Sequence, residues 1–479
     1  MIRSKSTCDR PLLCVVHCVD TEGPLHESLE ASFERVAKIL KRPDVREWGD
    51  TLEELVRGQR VPPEFRQTIR ALLDRRMMAY NEDWTKLDEM LGELMSRKWR
   101  ERRQDDFGNP YLFSWFVMDH VGFTHNPRRR AMGYHAIFEH YLEWLARSSG
   151  VNDAIYWHYH PVAFDYQGHK CSCNFSFTNH HLEVLSRRVI DHLYFPSAFR
   201  PAQHTERPDI NLFLEQWVPF DYGNQACDLE DNSLASDITD GRFGDWRRAP
   251  RKWGHYHPDI VDYQISGEMH RYVYRCLNVG SRLRHIRTSD VGEAFVQAKE
   301  RGIAVLSVAN HDFRDMRPDV DAFIAMIQEA RTAHPEVAIA YTTAVDAARL
   351  ESGLRPSTPV RMHFSLADQT ISLTASSCPW GSQPYLAVKT KDGRYLHENF
   401  DYHGGLKWAY TFDELTIPLS SVDYLGVAAN DQAGQTSVYR LALHGQKLEV
   451  EERFWNLWNT ESELLKSDFK TLAAGFQPV

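Results

Sequence analysis

The chain has 479 residues, of which 42% are hydrophobic and 25% are charged, and its formal net charge is −10. This composition is typical of a globular protein with room for two or three domains. The negative charge argues against a general nucleic-acid binder, which would need a basic surface. Two basic clusters, at residues 128–130 and 247–252, are therefore interpreted as solvated faces, with contact to a substrate phosphate as the less favoured alternative.

The sequence shows no sign of export or of a membrane span. No apolar stretch reaches the roughly 20 residues that a membrane helix needs. The apolar run at residues 12–19 is too short for a signal peptide and leads directly into acidic residues. The eight cysteines have no regular spacing, which favours free thiols in a reducing compartment over a disulfide framework. These features predict a cytoplasmic protein.

Strand-like and helical patterns alternate over the first 350 residues, which predicts an α/β domain with its ligand groups at strand ends. Residues 25 to about 105 break this alternation with helical spacing, and are predicted to form an insertion that serves as a lid or an oligomerisation surface. Formation of a homo-oligomer therefore remains an alternative. Strands are predicted at 12–19, 111–118, 154–157, 303–308 and 337–341, and helices at 132–145, 182–193, 208–217, 291–301 and 320–334.

The sequence pattern changes around residue 355. From there to about residue 450, alternating strands are separated by turn signals, which predicts a small β-sandwich domain. Residues 451–479 are predicted to form a helical tail, with a helix near 461–472. Within the first domain, residues 224–258 contain few consecutive apolar side chains and are predicted to form a long functional loop.

Chemically active residues follow four of the strand-like segments. Two imidazoles with one carboxylate form an open site for Zn²⁺ or a similar divalent ion. Such an ion lowers the pKa of its water and polarises a carbonyl group. A second carboxylate can then take the proton of the water, while a further histidine protonates the leaving group. The four groups are Asp20-x-Glu22, His158-x-His160-Pro161, Arg200-Pro201 and Asn310-His311-Asp312.

Two other clusters compete for the metal. A second His-x-His-Pro sequence begins at His255, but it follows polar loop residues, whereas an apolar run precedes His158. Cys171 and Cys173, with the neighbouring His180 and His181, form the other cluster, and nothing places them at a sheet edge. The first histidine pair is therefore favoured.

The order of these motifs resembles the polysaccharide deacetylase superfamily, of the NodB-like or carbohydrate esterase type, over residues 12–350 without the insertion. The resemblance implies a distorted (β/α) barrel and a metal-dependent hydrolase of carbon–nitrogen bonds. It implies that Asp20 is the catalytic base, which Arg200 steadies, and that His311 is the acid. The implied metal ligands, with zinc as the favoured ion, are Glu22, His158 and His160.

The chain also departs from the commoner family pattern. That pattern has two adjacent aspartates and places its histidines four residues apart, whereas both spacings are two here. The acidic histidine is usually oriented by an Asp and a Trp, for which Asp245-Trp246 is the candidate. These departures are typical of a divergent member, and they weaken the inference about the substrate more than the inference about the metal.

The expected function is deacetylation of an N-acylated amino sugar, linked to a nucleotide or a lipid, in polysaccharide or secondary-metabolite biosynthesis. One alternative with the same chemistry is hydrolysis of a non-sugar amide such as a ureide or a cyclic imide. Another is a catalytically silent carbohydrate-binding protein that uses the β-sandwich as its binding module. The expected partner is thus a small molecule or a glycan.

Overall fold

The computed structural model describes residues 10–48, 52–124, 126, 128–148, 152–162, 175–227, 244–281, 284–355, 357–445 and 447–458. Cys171, Cys173 and the helix predicted near 461–472 lie outside these ranges. Within them, no helix is both long and apolar enough to cross a membrane.

Parallel strands form the centre of the first domain. Its nine strands are β1 (Leu12–Thr21), β2 (Phe113–Asp119), β3 (Ala154–Tyr159), β4 (Ala198–Pro201), β5 (Phe220–Asn224), β6 (His255–Tyr256), β7 (Tyr272–Asn278), β8 (Ile303–His311) and β9 (Ala338–Tyr341). Seven of them close into a barrel in the order β1-β2-β3-β4-β5-β7-β8, because β1 pairs with both β2 and β8. β9 pairs with the first half of β1, and β6 runs antiparallel to β7. The predicted α/β barrel is confirmed.

β1 is buried on both faces, which explains its continuous apolar sequence. Cys14, Val16 and Cys18 point into the barrel interior. The alternate residues pack against the helices outside the barrel, among them Leu13 and Val15. Because side chains alternate along a strand, every second residue beyond Cys18 continues toward the open end of the barrel.

Within the described ranges, six helices lie between β1 and β2, and six more surround the barrel. The first six are α1 (Leu29–Leu40), α2 (Leu52–Arg57), α3 (Arg66–Leu72), α4 (Arg75–Met78), α5 (Trp84–Leu94) and α6 (Arg97–Arg100). The others are α7 (Ala136–Arg147), α8 (His180–His192), α9 (Pro208–Trp217), α10 (Thr288–Arg301), α11 (Arg317–Ala333) and α12 (Ala344–Glu351). Short 3-10 helices occupy Val45–Trp48, Pro63–Phe65, Phe175–Phe177, Ala202–His204 and Leu419–Ser421.

A buried ion pair fixes the end of the helical insertion to the barrel. Arg100 of α6 donates to both carboxylate oxygens of Asp153, at 2.8 and 2.6 Å. The indole of Trp115 on β2 donates to the same carboxylate at 2.9 Å. Both charged side chains are almost completely buried, so loss of either one would leave an uncompensated charge in the core.

The C-terminal part is a sandwich of two antiparallel sheets. Its strands are β10 (Met362–Ala367), β11 (Thr370–Ala375), β12 (Tyr385–Thr390), β13 (Tyr395–Glu398), β14 (Asp401–Tyr402), β15 (Lys407–Thr411), β16 (Val422–Asn430), β17 (Thr436–His444) and β18 (Lys447–Trp455). The sheet orders are β10-β11-β15-β14 and β13-β12-β16-β17-β18. On β12, Leu386 and Val388 face the other sheet, whereas Tyr385 and Ala387 face α8.

Two predictions about chain segments are wrong. β18 extends to Trp455, so residues 451–455 are a strand and not the start of a helical tail. This strand lies at a sheet edge and is mostly exposed, which explains its charged sequence and the weak alternation. The predicted loop at 224–258 is wrong in its described part, which begins with the last residue of β5 and contains β6; residues 228–243 lie outside the described ranges. β5 and β7 were not predicted.

Gly426 on β16 is one of the positions where the sandwich packs tightly against the barrel domain. A Cβ atom there would lie 2.6 Å from Cγ1 of Val189 and 2.8 Å from Cγ1 of Ile190, both on α8. Gly426→Ala is therefore expected to lower the free energy of unfolding by about 1–3 kcal/mol through overpacking. Urea unfolding followed by tryptophan fluorescence measures this change in the free energy of unfolding.

The matched control is Gly292→Ala in α10, where nothing lies within 4 Å. This change should raise the stability by about 0.4–1 kcal/mol. Equal effects of the two changes would contradict the close contact.

Candidate metal centre

Two pairs of residues with a spacing of two enter the barrel mouth from β1 and β3, which lie on either side of β2. Asp20 and Glu22 share one side of β1 and its extension, and His158 and His160 share one side of β3, because side chains alternate along a strand. All four side chains are buried. A spacing of two therefore gives both members of each pair access to the same site.

Strand register brings the remaining residues to the same level. Asp20 lies opposite His311 on β8, and His158 lies opposite Arg200 on β4. The carboxyl ends of parallel strands meet at one end of a barrel, which is where sites form in such folds. All six predicted site residues are thus at this end.

Glu22, His158 and His160 form a compact donor cluster. One ligand atom of each lies within 4.8 Å of the ligand atoms of the other two. The two Nε2 atoms are 3.0 Å apart, and Nε2 of His160 is 3.7 Å from Oε1 of Glu22. This buried cluster could hold a metal ion.

The tautomer of His158 favours metal binding. Its Nδ1 lies 2.9 Å from the carbonyl oxygen of Arg200, which can only accept, so Nδ1 carries the proton. Nε2 then presents a lone pair toward Nε2 of His160, 3.0 Å away, and this lone pair is available to a cation. A backbone carbonyl that orients a ligating imidazole in this way is a common feature of metal sites. The donor set fits zinc or a similar ion.

Asp20 belongs to a separate ion pair. Arg200 donates to its two carboxylate oxygens from Nε at 2.7 Å and from Nη2 at 3.1 Å, and both side chains are buried. Burial raises the pKa of Asp20, but Arg200, His158 and His311 together lower it by more, so this pKa lies far below its usual range. Asp20 is therefore an anion beside the donor cluster.

His311 lies above both acids. Its Nε2 is 3.7 Å from Oε1 of Glu22 and 3.8 Å from Oδ2 of Asp20. Burial lowers the pKa of His311 to about 4, although both carboxylates act in the opposite direction. The side chain is 19% exposed, against 1% for Asp20. It is thus closer to the open end of the barrel than the ion pair beneath it.

Asp245 and Trp246 do not orient His311. The carboxylate of Asp245 accepts two bonds from the guanidinium of Arg247, at 2.9 and 2.7 Å. The indole of Trp246 donates to the carbonyl oxygen of His204 at 2.7 Å. No residue in the described ranges bonds Nδ1 of His311.

The rival histidines have other partners. His255 lies on β6, where its Nδ1 is 2.5 Å from Glu351, and Nδ1 of His257 is 3.1 Å from the carbonyl oxygens of His270 and Arg271. The ring of His181 stacks on Phe175. None of the three belongs to the donor cluster.

The prediction of a solvated face is wrong for Arg130. This residue is buried, and its guanidinium forms an ion pair with Glu22. Burial raises the pKa of Glu22 and the charge of Arg130 lowers it, and the net pKa is about 2. Glu22 is therefore an anion that pairs with the guanidinium. A run of arginines gives no indication of which one turns inward.

His120 is a site residue that sequence reasoning missed. It follows β2 directly, its ring centroid is 5.9 Å from that of His160, and both ring nitrogens are buried without a partner among the described residues. The preceding Asp119 turns the other way and pairs with Arg188 of α8 at 2.7 Å. The alternation of side chains along β2 could have identified His120, because one of two adjacent residues at the end of a strand must face the barrel mouth.

The turn after β1 is clamped by Asp312. Its carboxylate accepts from the backbone amides of Glu22 and Gly23 at 2.7 and 3.0 Å and from Tyr141 of α7 at 2.8 Å. Gly23 has φ of +69°, which a residue with a side chain rarely adopts. Asn81, between α4 and α5, donates to the carbonyl oxygen of Asp312 at 2.7 Å. The helical insertion thus helps to position Glu22.

Comparisons with known proteins add little to this description. No family model and no curated protein matches the chain. Among solved structures, an engineered protein from the Northeast Structural Genomics Consortium is similar at 13% identity over 94% of both chains, with a TM-score of 0.21. A TM-score this low supports no inference about fold or function.

Proposed function

We propose that the protein is a metal-dependent amide hydrolase that removes the acyl group from an N-acylated amino sugar linked to a nucleotide or a lipid. The observation that carries this proposal is the buried cluster of Glu22, His158 and His160 beside the separately ionised Asp20. Two carboxylates in different environments can take different roles, one as a ligand and one as a base. The order of the motifs, which resembles that of polysaccharide deacetylases, supports the choice of reaction.

The residues have distinct roles in the proposed reaction. A divalent ion, when bound by the three ligands, would polarise the substrate carbonyl and make water more acidic. Asp20 accepts the proton of the attacking water. Arg200 keeps Asp20 ionised and aligned through its two hydrogen bonds. His311 is neutral at rest because burial lowers its pKa; it takes up a proton at the open end and passes it to the departing nitrogen.

Metal analysis and a substrate panel test this function together. We expect the purified protein to contain about one zinc or similar ion per chain and to hydrolyse at least one N-acetylated sugar nucleotide. The hydrolysis should stop with a chelator and return with added metal, because the three-ligand site is the source of the activated water. Ureides and cyclic imides belong in the same panel, and their exclusive hydrolysis would replace the sugar substrate. Protein without a stoichiometric ion would favour the silent carbohydrate-binding alternative.

A further inference from the structure

Arg284, which follows β7, is a buried cation without a counter-ion. Arg284 is only 6% exposed, and none of the described residues forms an ion pair with it. Nη2 donates to the carbonyl oxygen of Gly244 at 2.5 Å, whereas Nη1 is buried without a partner within the described ranges. A guanidinium stays charged in proteins, so its burial is costly unless an anion compensates it.

His204, at the end of β4, lies on the other side of Gly244. It is also 6% exposed, and its Nδ1 has no partner in the part of the chain that the structure describes. The amide of Gly244 donates to the carbonyl oxygen of Gln203 at 3.3 Å, and a Cβ atom on Gly244 would collide with the carbonyl oxygen of His204. Gly244 therefore joins the Arg284 segment to the His204 segment.

The backbone around this point is strained. Gln203, His204 and Arg284 have φ of +48°, +54° and +50°, a region that residues with side chains seldom adopt. Trp246 holds the strained carbonyl group of His204 at 2.7 Å. Strain of this kind costs free energy and persists where the surrounding structure imposes it, often at ligand sites. Three residues with positive φ lie around Gly244, so the surrounding structure must hold the backbone in this strained conformation.

We propose that Arg284 and His204 form a subsite for an oxyanion, either a phosphate or a carboxylate, at the mouth of the barrel. Nη1 of Arg284 and Nδ1 of His204 are the donors. Burial, together with the charges of Arg200 and Arg284, lowers the pKa of His204, so the imidazole binds as a neutral donor. His204 follows β4, whose Arg200 pairs with Asp20, so the subsite adjoins the proposed reaction centre.

The subsite defines the substrate class more closely. If the protein is the hydrolase proposed above, on which this step rests, its substrate carries a phosphate or a carboxylate near the amide that is cleaved. A sugar 1-phosphate and an N-acyl amino acid both satisfy this condition. A neutral N-acyl sugar gains nothing from Arg284.

Binding of inorganic phosphate tests the subsite without reference to turnover. Calorimetric titration uses chelator-treated full-length protein, so that phosphate cannot bind a metal ion. We expect Arg284→Gln to weaken binding roughly 10- to 100-fold, as for loss of a hydrogen bond to a charged group. His204→Asn should weaken it less, because Asn tolerates positive φ and keeps one donor. Arg247→Gln is the matched control, since Arg247 is exposed and pairs with Asp245, and it should bind as the unaltered protein does.

Stability and substrate choice complete the test. Without phosphate, Arg284→Gln should unfold at the same or a higher temperature than the unaltered protein, because it removes an uncompensated buried charge. Among N-acetylglucosamine 1-phosphate, an N-acetyl amino acid and N-acetylglucosamine, the variant should lose kcat/KM only for the anionic substrates, and the larger loss identifies phosphate or carboxylate. Unchanged phosphate binding in Arg284→Gln, or none by the unaltered protein, overturns the subsite. If no substrate is cleaved, the titration still decides it, and only the proposed function fails.

Discussion

His160→Ala is expected to abolish stoichiometric binding of a divalent ion. The side chain supplies one of three ligands, and its Nε2 lies 3.0 Å from Nε2 of His158 and 3.7 Å from Oε1 of Glu22. Loss of residues that merely orient ligands typically weakens metal binding 10- to 100-fold, so loss of a ligand should weaken it by more than about 100-fold. Competition with a chromogenic chelator at fixed pH measures the dissociation constant.

The chain offers a close control for this experiment. His257 occupies the same place in the second His-x-His-Pro sequence as His160 does in the first, and its Nδ1 contacts the backbone carbonyl oxygens of His270 and Arg271, just before β7. His257→Ala should keep the metal. Glu22→Gln should lose it, because an amide oxygen is a weaker ligand than a carboxylate. Metal loss in His257→Ala with retention in His160→Ala would show that the ion binds at the second motif.

Asp20→Asn is expected to retain the metal and to lose turnover by a factor of about 10²–10⁴, which is the usual contribution of a positioned acid–base group. The isosteric amide preserves the shape of the site, and Glu22 remains available to the ion. The change also leaves Arg200 as a buried charge without its anionic partner, which typically costs about 3–5 kcal/mol of stability. Metal content, rate and thermal unfolding must therefore be measured on one preparation.

A double variant separates the loss of chemistry from the loss of stability. Asp20→Asn combined with Arg200→Gln removes both charges of the ion pair, so it should regain part of the stability and none of the turnover. Recovery of the rate in the double variant would mean that Asp20 has only a structural role.

The acid of the proposed reaction has its own signature. His311→Ala should keep both metal and stability, since its closest charged contacts are 3.7 and 3.8 Å away. Its rate should fall least for substrates with a good leaving group, because they depend least on protonation of the departing nitrogen. A near-normal rate with every substrate would remove His311 from the reaction.

Local periodicity explains why the sequence was sufficient for much of the site. The apolar run of β1 gives its burial on both faces, and the spacing of two in Asp20-x-Glu22 and His158-x-His160 follows from the alternation of side chains along a strand. These relations depend only on neighbours in the chain. They therefore determined the α/β class and the shared face of each pair, whereas the barrel and the choice of Glu22, His158 and His160 as ligands were implied by the resemblance to polysaccharide deacetylases.

Only the tertiary structure decided where polar residues are buried. β5 and β7 escaped prediction because charged side chains interrupt their apolar pattern. Asp221 on β5 is buried in an ion pair with Arg271, and Arg275 on β7 pairs with Asp290 at 2.8 Å. The inward turn of Arg130, and the lack of a counter-ion for Arg284 among the described residues, likewise depend on residues far away in the chain. The free energy of a buried charge is set by its partners, and which residues become partners is settled only when the barrel closes.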